Sequence, residues 1–249
     1  MMLALAFGVA AASAHAQPSP GVEATTYVKA LAIKDPAKRA QALEVFIAWY
    51  PNSTLRIEAS EQAMTAWQSA GNPDKADAIA VRLLQIDADN LRALANRAYV
   101  GRTRAMAGDG TALSTAVAAA ERGFAVLPKW PKPAPLAEAD FVRLKSQVAA
   151  VFEGALGFAA LQAKQYDRAR ERFLRAIAVD PDNLPDVYQL SVALLEPEPC
   201  DALGFWYAAR AIAIARGIRN EATAAEIDTY ARAHYRRYHG GEDGWPQIV

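Results

Sequence analysis

Catalysis and metal binding need polar side chains that converge, and few residues in this chain have the types and spacing for either. Of its three histidines, His15 lies in an apolar N-terminal run, which leaves His234 and His239. These two stand five residues apart, and on a helix that spacing turns one about 140° from the other. A helix that grips one metal with two histidines spaces them i, i+4, so the pair reads as two solvated side chains. The single cysteine, Cys200, sits between Glu198-Pro199 and Asp201, an acidic setting unsuited to a reactive thiolate. It also has no partner for an intramolecular disulfide. Gly-x-Ser-x-Gly, Gly-x-Gly-x-x-Gly after a strand, and Gly-Lys-Ser/Thr phosphate loops are all missing from the sequence. Carboxylate pairs such as Asp182 with Asp186 suit helix starts, where the dipole favours negative charge. One acidic group could do more: Glu138, Asp140 and Glu153, near Trp130, would serve an enzyme or carbohydrate-binding accessory if they met in a deep pocket with raised carboxyl pKa values. The leading expectation is a non-enzymatic protein without metal or cofactor.

The elements that would carry these residues are helices. Ala, Leu, Arg, Glu and Gln recur at three- and four-residue spacings, and period-two β-branched runs are missing. Turn signals recur along the chain, among them Asp35-Pro36, Pro51-Asn52-Ser53, Gly71-Asn72-Pro73, Asp89-Asn90, Gly108-Asp109-Gly110 and Pro181-Asp182-Asn183. Lys plus Arg and Asp plus Glu both total 27, so no net field draws in nucleic acid or an acidic membrane surface. Met2 to Ala14 is apolar and uncharged, and Ala14-His15-Ala16 has the small-x-small form of a signal-peptidase site. Residues 1–16 therefore read as a signal peptide cut after Ala16, although the Lys or Arg usual at the start of such a leader is missing. The implied location is periplasmic or secreted. The run is shorter than the roughly 20 residues that span a bilayer, and no integral span is expected elsewhere.

Internal repetition decides the fold class. Residues 71–90 align without a gap on 164–183: Asp74, Ala76, Arg82, Asp87, Asp89 and Asn90 recur as Asp167, Ala169, Arg175, Asp180, Asp182 and Asn183. In the clearest copy, about 150–183, Leu156-Gly157, Ala169, Phe173, Ala176 and Pro181 fall at the spacing of the tetratricopeptide repeat (TPR) family. Gly157 and Ala169 are small where paired helices would cross, and Pro181 ends the second helix. Glu153 and Ala160 replace two aromatics usual in that family. A looser copy uses Ala98, Ala116, Ala120, Gly123 and Pro128, and another Leu190-Ser191, Ala202, Trp206 and Ala209. The segment Phe46-Ile47-Ala48-Trp49-Tyr50-Pro51-Asn52-Ser53 resembles a helix end of periplasmic repeat proteins. The chain thus resembles a TPR protein of the secreted or periplasmic bacterial type. The resemblance implies an all-α fold in which antiparallel helix pairs stack into a right-handed TPR-like superhelix of about eleven helices.

That resemblance implies a protein or peptide partner, held in a groove lined by the first helix of each pair. The repeat register points to Glu61 and Gln68, then Arg92, Tyr99 and Arg102, then Phe158 and Leu161, and finally Tyr188. Arg92, Tyr99 and Arg102 suit an acidic or carboxylate-ended peptide, and Phe158 and Tyr188 an apolar side chain. Ala95 and Glu61 stand where chaperone-binding members carry polar grips, which disfavours that partner. A structural alternative is a self-associating component of a cell-envelope complex, joined through Trp206 and Trp245.

The division expected is a signal peptide at 1–16, an N-terminal TPR-like sub-array at 17–127, a Pro-rich connection at 128–137, a C-terminal sub-array at 138–217, and a capping helix with tail at 218–249. Four prolines in Leu127–Leu136 forbid a regular helix there. That stretch reads either as a rigid spacer or as a docked loop offering Trp130. In the tail, Gly240 and Gly241 read as a left-handed helix cap, with Trp245 and Ile248 folding back over the last repeat. A docking role for Trp245 and Tyr238 is the competing reading.

Overall fold

A computed structural model of the chain describes residues 20–133 and 135–248. The expected leader over 1–16 and the side chain of Ile248 lie outside what is described. Twelve α-helices and one 3-10 turn account for the ordered elements, and the described residues contain no strand. The all-α expectation of about eleven helices is met by eleven long helices and one of a single turn. The contacts divide the chain between Asn72 and Pro73.

The first unit holds α1 (Pro20–Leu31), α2 (Pro36–Trp49) and α3 (Arg56–Ser69). Asp35 starts α2: its side chain accepts from the Lys38 backbone N–H at 2.8 Å, and Pro36 occupies the first turn. Leu43, Phe46, Tyr50, Ala63 and Trp67 fill the core of this unit. Phe46 stacks at a tilt on Tyr27 and Tyr50, with centroids 5.4 and 4.9 Å apart. Trp67 Nε1 donates to Glu44 at 2.6 Å, which satisfies the polar edge of a buried indole.

The second unit runs through α4 (Pro73–Ile86), α5 (Leu91–Met106), α6 (Ala112–Val126), α7 (Glu138–Gln162), α8 (Tyr166–Val179), α9 (Leu184–Leu195), α10 (Leu203–Gly217), α11 (Glu221–His239) and α12 (Trp245–Ile248). Within it α5 pairs most closely with α6, α7 with α8 and α9 with α10. The gapless internal alignment becomes a copied turn. After α4, Asn90 donates its backbone N–H to Asp87 O and caps Ala93. After α8, Asn183 donates to Asp180 O and caps Asp186. The preceding helix ends are copied too. Gly71, Gly108, Lys164 and Arg219 all take positive φ, and each is followed by a backbone N–H reaching back to a carbonyl of the last turn.

The small residues of the clear copy do what their size suggests. A Cβ built on Gly157 would stand 2.9 Å from Phe173 Cε1, and one on Gly123 would overlap the Phe152 ring. Ala169, Phe173 and Ala176 are fully buried. The looser copy in α10 needs correction. Ala202 and Trp206 are exposed, and the inward face is Gly204, Phe205, Ala208 and Ile212, because the Glu196–Ala202 connection delays the helix start to Leu203.

The proline-rich stretch makes a 3-10 turn at Leu127–Lys129, and the described residues between that turn and α7, 130–133 and 135–137, are in neither helix nor strand. Trp130 packs on Phe141, centroids 5.4 Å apart, so its ring belongs to the local core. The helices on either side of the segment 128–137, α6 and α7, pack directly on each other. By length and composition α7 could cross a membrane, contrary to the expectation that no such stretch remained. It packs against α5, α6, α8 and α9, as a core helix of the unit.

Candidate functional site

Helices α5, α7 and α9, the first members of three successive pairs, line a groove of about 690 Å³. Tyr99, Arg102, Thr103 and Met106 come from α5, and Gln147, Ala150 and Val151 from α7. The third wall is the end of α8 with the start of α9: Val179, Asp180, Asn183, Pro185 and Asp186. Spacings of three and four along α5 place its contributions on one face.

A buried ion pair forms the floor. Arg102 Nη1 and Asp186 Oδ1 meet at 2.5 Å, and the two residues are only 8% and 4% exposed. The Arg102 guanidinium also lies over the Phe173 ring, 5.7 Å from its centroid, so one side chain links α5, α8 and α9. The pair sits against Gly154 of α7. A Cβ there would overlap Arg102 Nη1 and stand 2.8 Å from Asp186 Oδ1, so glycine is what lets α7 pass under the pair. Burial pushes the Asp186 carboxyl above its ordinary pKa. Arg102 pulls it back, and the Asp180 charge adds to the rise.

The groove residues expected from sequence divide. Tyr99 lines it and is 56% exposed. Arg102 lines it as well, but as a buried partner of Asp186 and not as the free grip for a ligand carboxylate that the repeat register suggests. Arg92, at the first turn of α5, is half-buried and outside the lining. Phe158 and Leu161 are buried in the core with Val187, Leu190 and Leu194. They continue the stripe of Val151 and Gly154 along α7, but toward that end α8 and α9 close over it. Tyr188 is half-buried and meets Tyr230 edge-on at 6.0 Å. Asp186, read from sequence as a solvated helix-start residue, is the largest omission. Its link to Arg102 spans a sequence separation that no local pattern reveals.

The other candidates disperse. Glu153 is buried between Arg172 and Arg175, each 2.8 Å away. Glu138 and Asp140 lie in the first turn of the same α7, roughly 20 Å distant at 1.5 Å per residue. The pocket that an enzymatic reading of these carboxylates needs is therefore not formed. His234 is buried, against the expectation of two solvated histidines. Among the described residues no group of three or more His, Cys, Asp or Glu side chains gathers as metal ligands.

Trp245 is 2% exposed, donates Nε1 to Asp228 Oδ1 at 2.9 Å and packs on Phe205 and Tyr235. Gly240 supplies the left-handed cap of α11, as expected. The folded-back tail thus covers the end of the unit, and Trp245 is unavailable for docking. Tyr238 remains mostly exposed beside Phe205.

No family model matches the chain, and no curated protein matches it. Among solved structures, the crystal structure of MamA protein is similar over 79% of this chain and 91% of that chain, with 15% identity and a TM-score of 0.50. MamA 41-end from Desulfovibrio magneticus RS-1 is similar over 87% and 95%, with 13% identity and a TM-score of 0.44. At 15% identity the likeness to the first of these concerns fold alone, and the paired helices and copied turns make the chain an all-α, TPR-like repeat.

Proposed function

We propose that this chain is a non-enzymatic protein-interaction scaffold that holds a peptide segment of a partner protein in the groove between α5, α7 and α9. The observation that carries this reading is the groove itself, built from the first helices of three successive pairs and walled by exposed or half-exposed apolar residues over a rigid polar floor. Concave sites with mostly apolar walls and a few placed polar groups are where proteins hold ligands. The apolar run and small-x-small site within 1–16 support a periplasmic or secreted location as part of this proposal.

The test compares partner recovery from an envelope extract by the wild-type chain, by Tyr99→Ser/Met106→Ser and by Trp206→Ser. The groove reading expects the double substitution to lose partners that the outer-face substitution keeps. Equal recovery by all three would overturn it. Trp206, 52% exposed beside the exposed Leu203, supports the second reading of self-association. That reading expects a concentration-dependent dimer in sedimentation that Trp206→Ser abolishes.

A further inference from the structure

The sign of charge in the groove is opposite to the one its arginine suggests. Three charged side chains line it: Arg102, Asp180 and Asp186. One guanidinium against two carboxylates leaves a net negative lining. The positive charge is also withheld, because Nη1 is spent on Asp186 while Nε and Nη2 are sealed from solvent. A ligand carboxylate lying in the groove cannot reach them without breaking the floor. Asp180, in contrast, is exposed and accepts one hydrogen bond, from Asn183 Nδ2 at 3.2 Å, so a carboxylate with about four lone-pair positions keeps room for a cation. The exposed Tyr99 ring lines the same groove, and an aromatic face attracts ammonium and guanidinium groups. Met106, Val151 and Val179 supply apolar surface beside them.

We infer that the groove selects a partner segment carrying a lysine or arginine next to an apolar residue. The cation is held by Asp180 and Tyr99, and the apolar neighbour by Met106, Val151 and Val179. This rests on the groove reading and reverses the acidic ligand that the arginine content of α5 implies.

The experiment uses the full chain and three fluorescein-labelled synthetic peptides that share length and apolar residues and differ in carrying Lys, Gln or Glu. In fluorescence anisotropy at low salt, the Lys peptide binds about tenfold more tightly than the Glu peptide, and the gap narrows as salt screens the charges. Asp180→Asn, which can still accept from Asn183, weakens the Lys peptide about fivefold and leaves the Gln peptide unchanged. Tighter binding of the Glu peptide, or equal binding of all three, overturns the charge inference. If Tyr99→Ser/Met106→Ser then still abolishes binding, the groove reading survives that failure. A Lys preference untouched by Asp180→Asn and by the groove substitutions, or no binding by any peptide, overturns both.

Discussion

The groove region and the C-terminal end of the second unit are built from the same helix pairs but finished in opposite ways. At the end, Trp245 folds onto Phe205 and Tyr235, and Tyr235 Oη donates to Asp243 O at 2.9 Å. The last apolar face is thereby consumed by the chain's own tail. In the groove the apolar residues stay open, and a polar pair sealed beneath them holds α5, α8 and α9 together. A repeat stack needs a lid where it stops and an open wall where it works. Buried aromatics mark the first, and an exposed aromatic over a buried ion pair marks the second.

The comparison breaks most visibly at the floor. Arg102→Met leaves Asp186 buried without its partner and costs about 3–5 kcal/mol in chemical denaturation. The double change Arg102→Met/Asp186→Leu restores most of that loss, because a well-packed apolar pair often replaces a buried ion pair without penalty. Equal losses in the single and double variants would show that packing, and not pairing, holds the floor. Next comes the lid. Trp245→Ala empties a buried aromatic site and costs about 3 kcal/mol, while peptide binding in the groove stays intact.

A smaller effect belongs to His234, which separates the two regions by pH. Burial first and Arg237 second hold its pKa below the ordinary 6.5, and Glu196 opposes them. Arg237 Nη2 donates to Nδ1 at 2.9 Å and Glu196 Oε1 lies 3.5 Å from Nε2, with the Tyr230 ring 4.6 Å away. A depressed folded pKa means that the unfolded chain protonates first as pH falls. Stability contributed at this site is therefore complete above about pH 6.5 and declines as pH drops from there toward the folded pKa. His234→Gln flattens that decline in denaturation curves collected across the range. Smallest of all, Tyr99→Ala changes stability by less than about 0.5 kcal/mol, since its ring is largely exposed.

Legibility in the sequence followed the range of the interactions. The α8 copy was readable because glycine and alanine at helix crossings and the Asp-x-x-Asn turn with Pro181 inside it are local signals, and Gly157 against Phe173 shows their purpose. The Gly240 cap and the Trp245 lid were readable for the same reason. The α10 register was not, since the proline-containing connection Glu196–Ala202 moves the inward face two residues along, to Gly204 and Ala208. Tyr99 was identified from repeat register alone. Phe158 and Leu161 obey the same register and are nonetheless core, because how far α8 and α9 close over α7 depends on packing and not on α7's own residues. The state of Arg102 depended on Asp186, which lies in a different repeat.

The central claim is that the open wall of α5, α7 and α9 is where a partner lies. A photo-crosslinking residue placed at Tyr99, and in a separate chain at Trp206, tests it most directly. The account predicts a partner adduct from position 99 that is competed away by the Lys-bearing peptide, and none competed from position 206. Crosslinking from position 206 alone would contradict it.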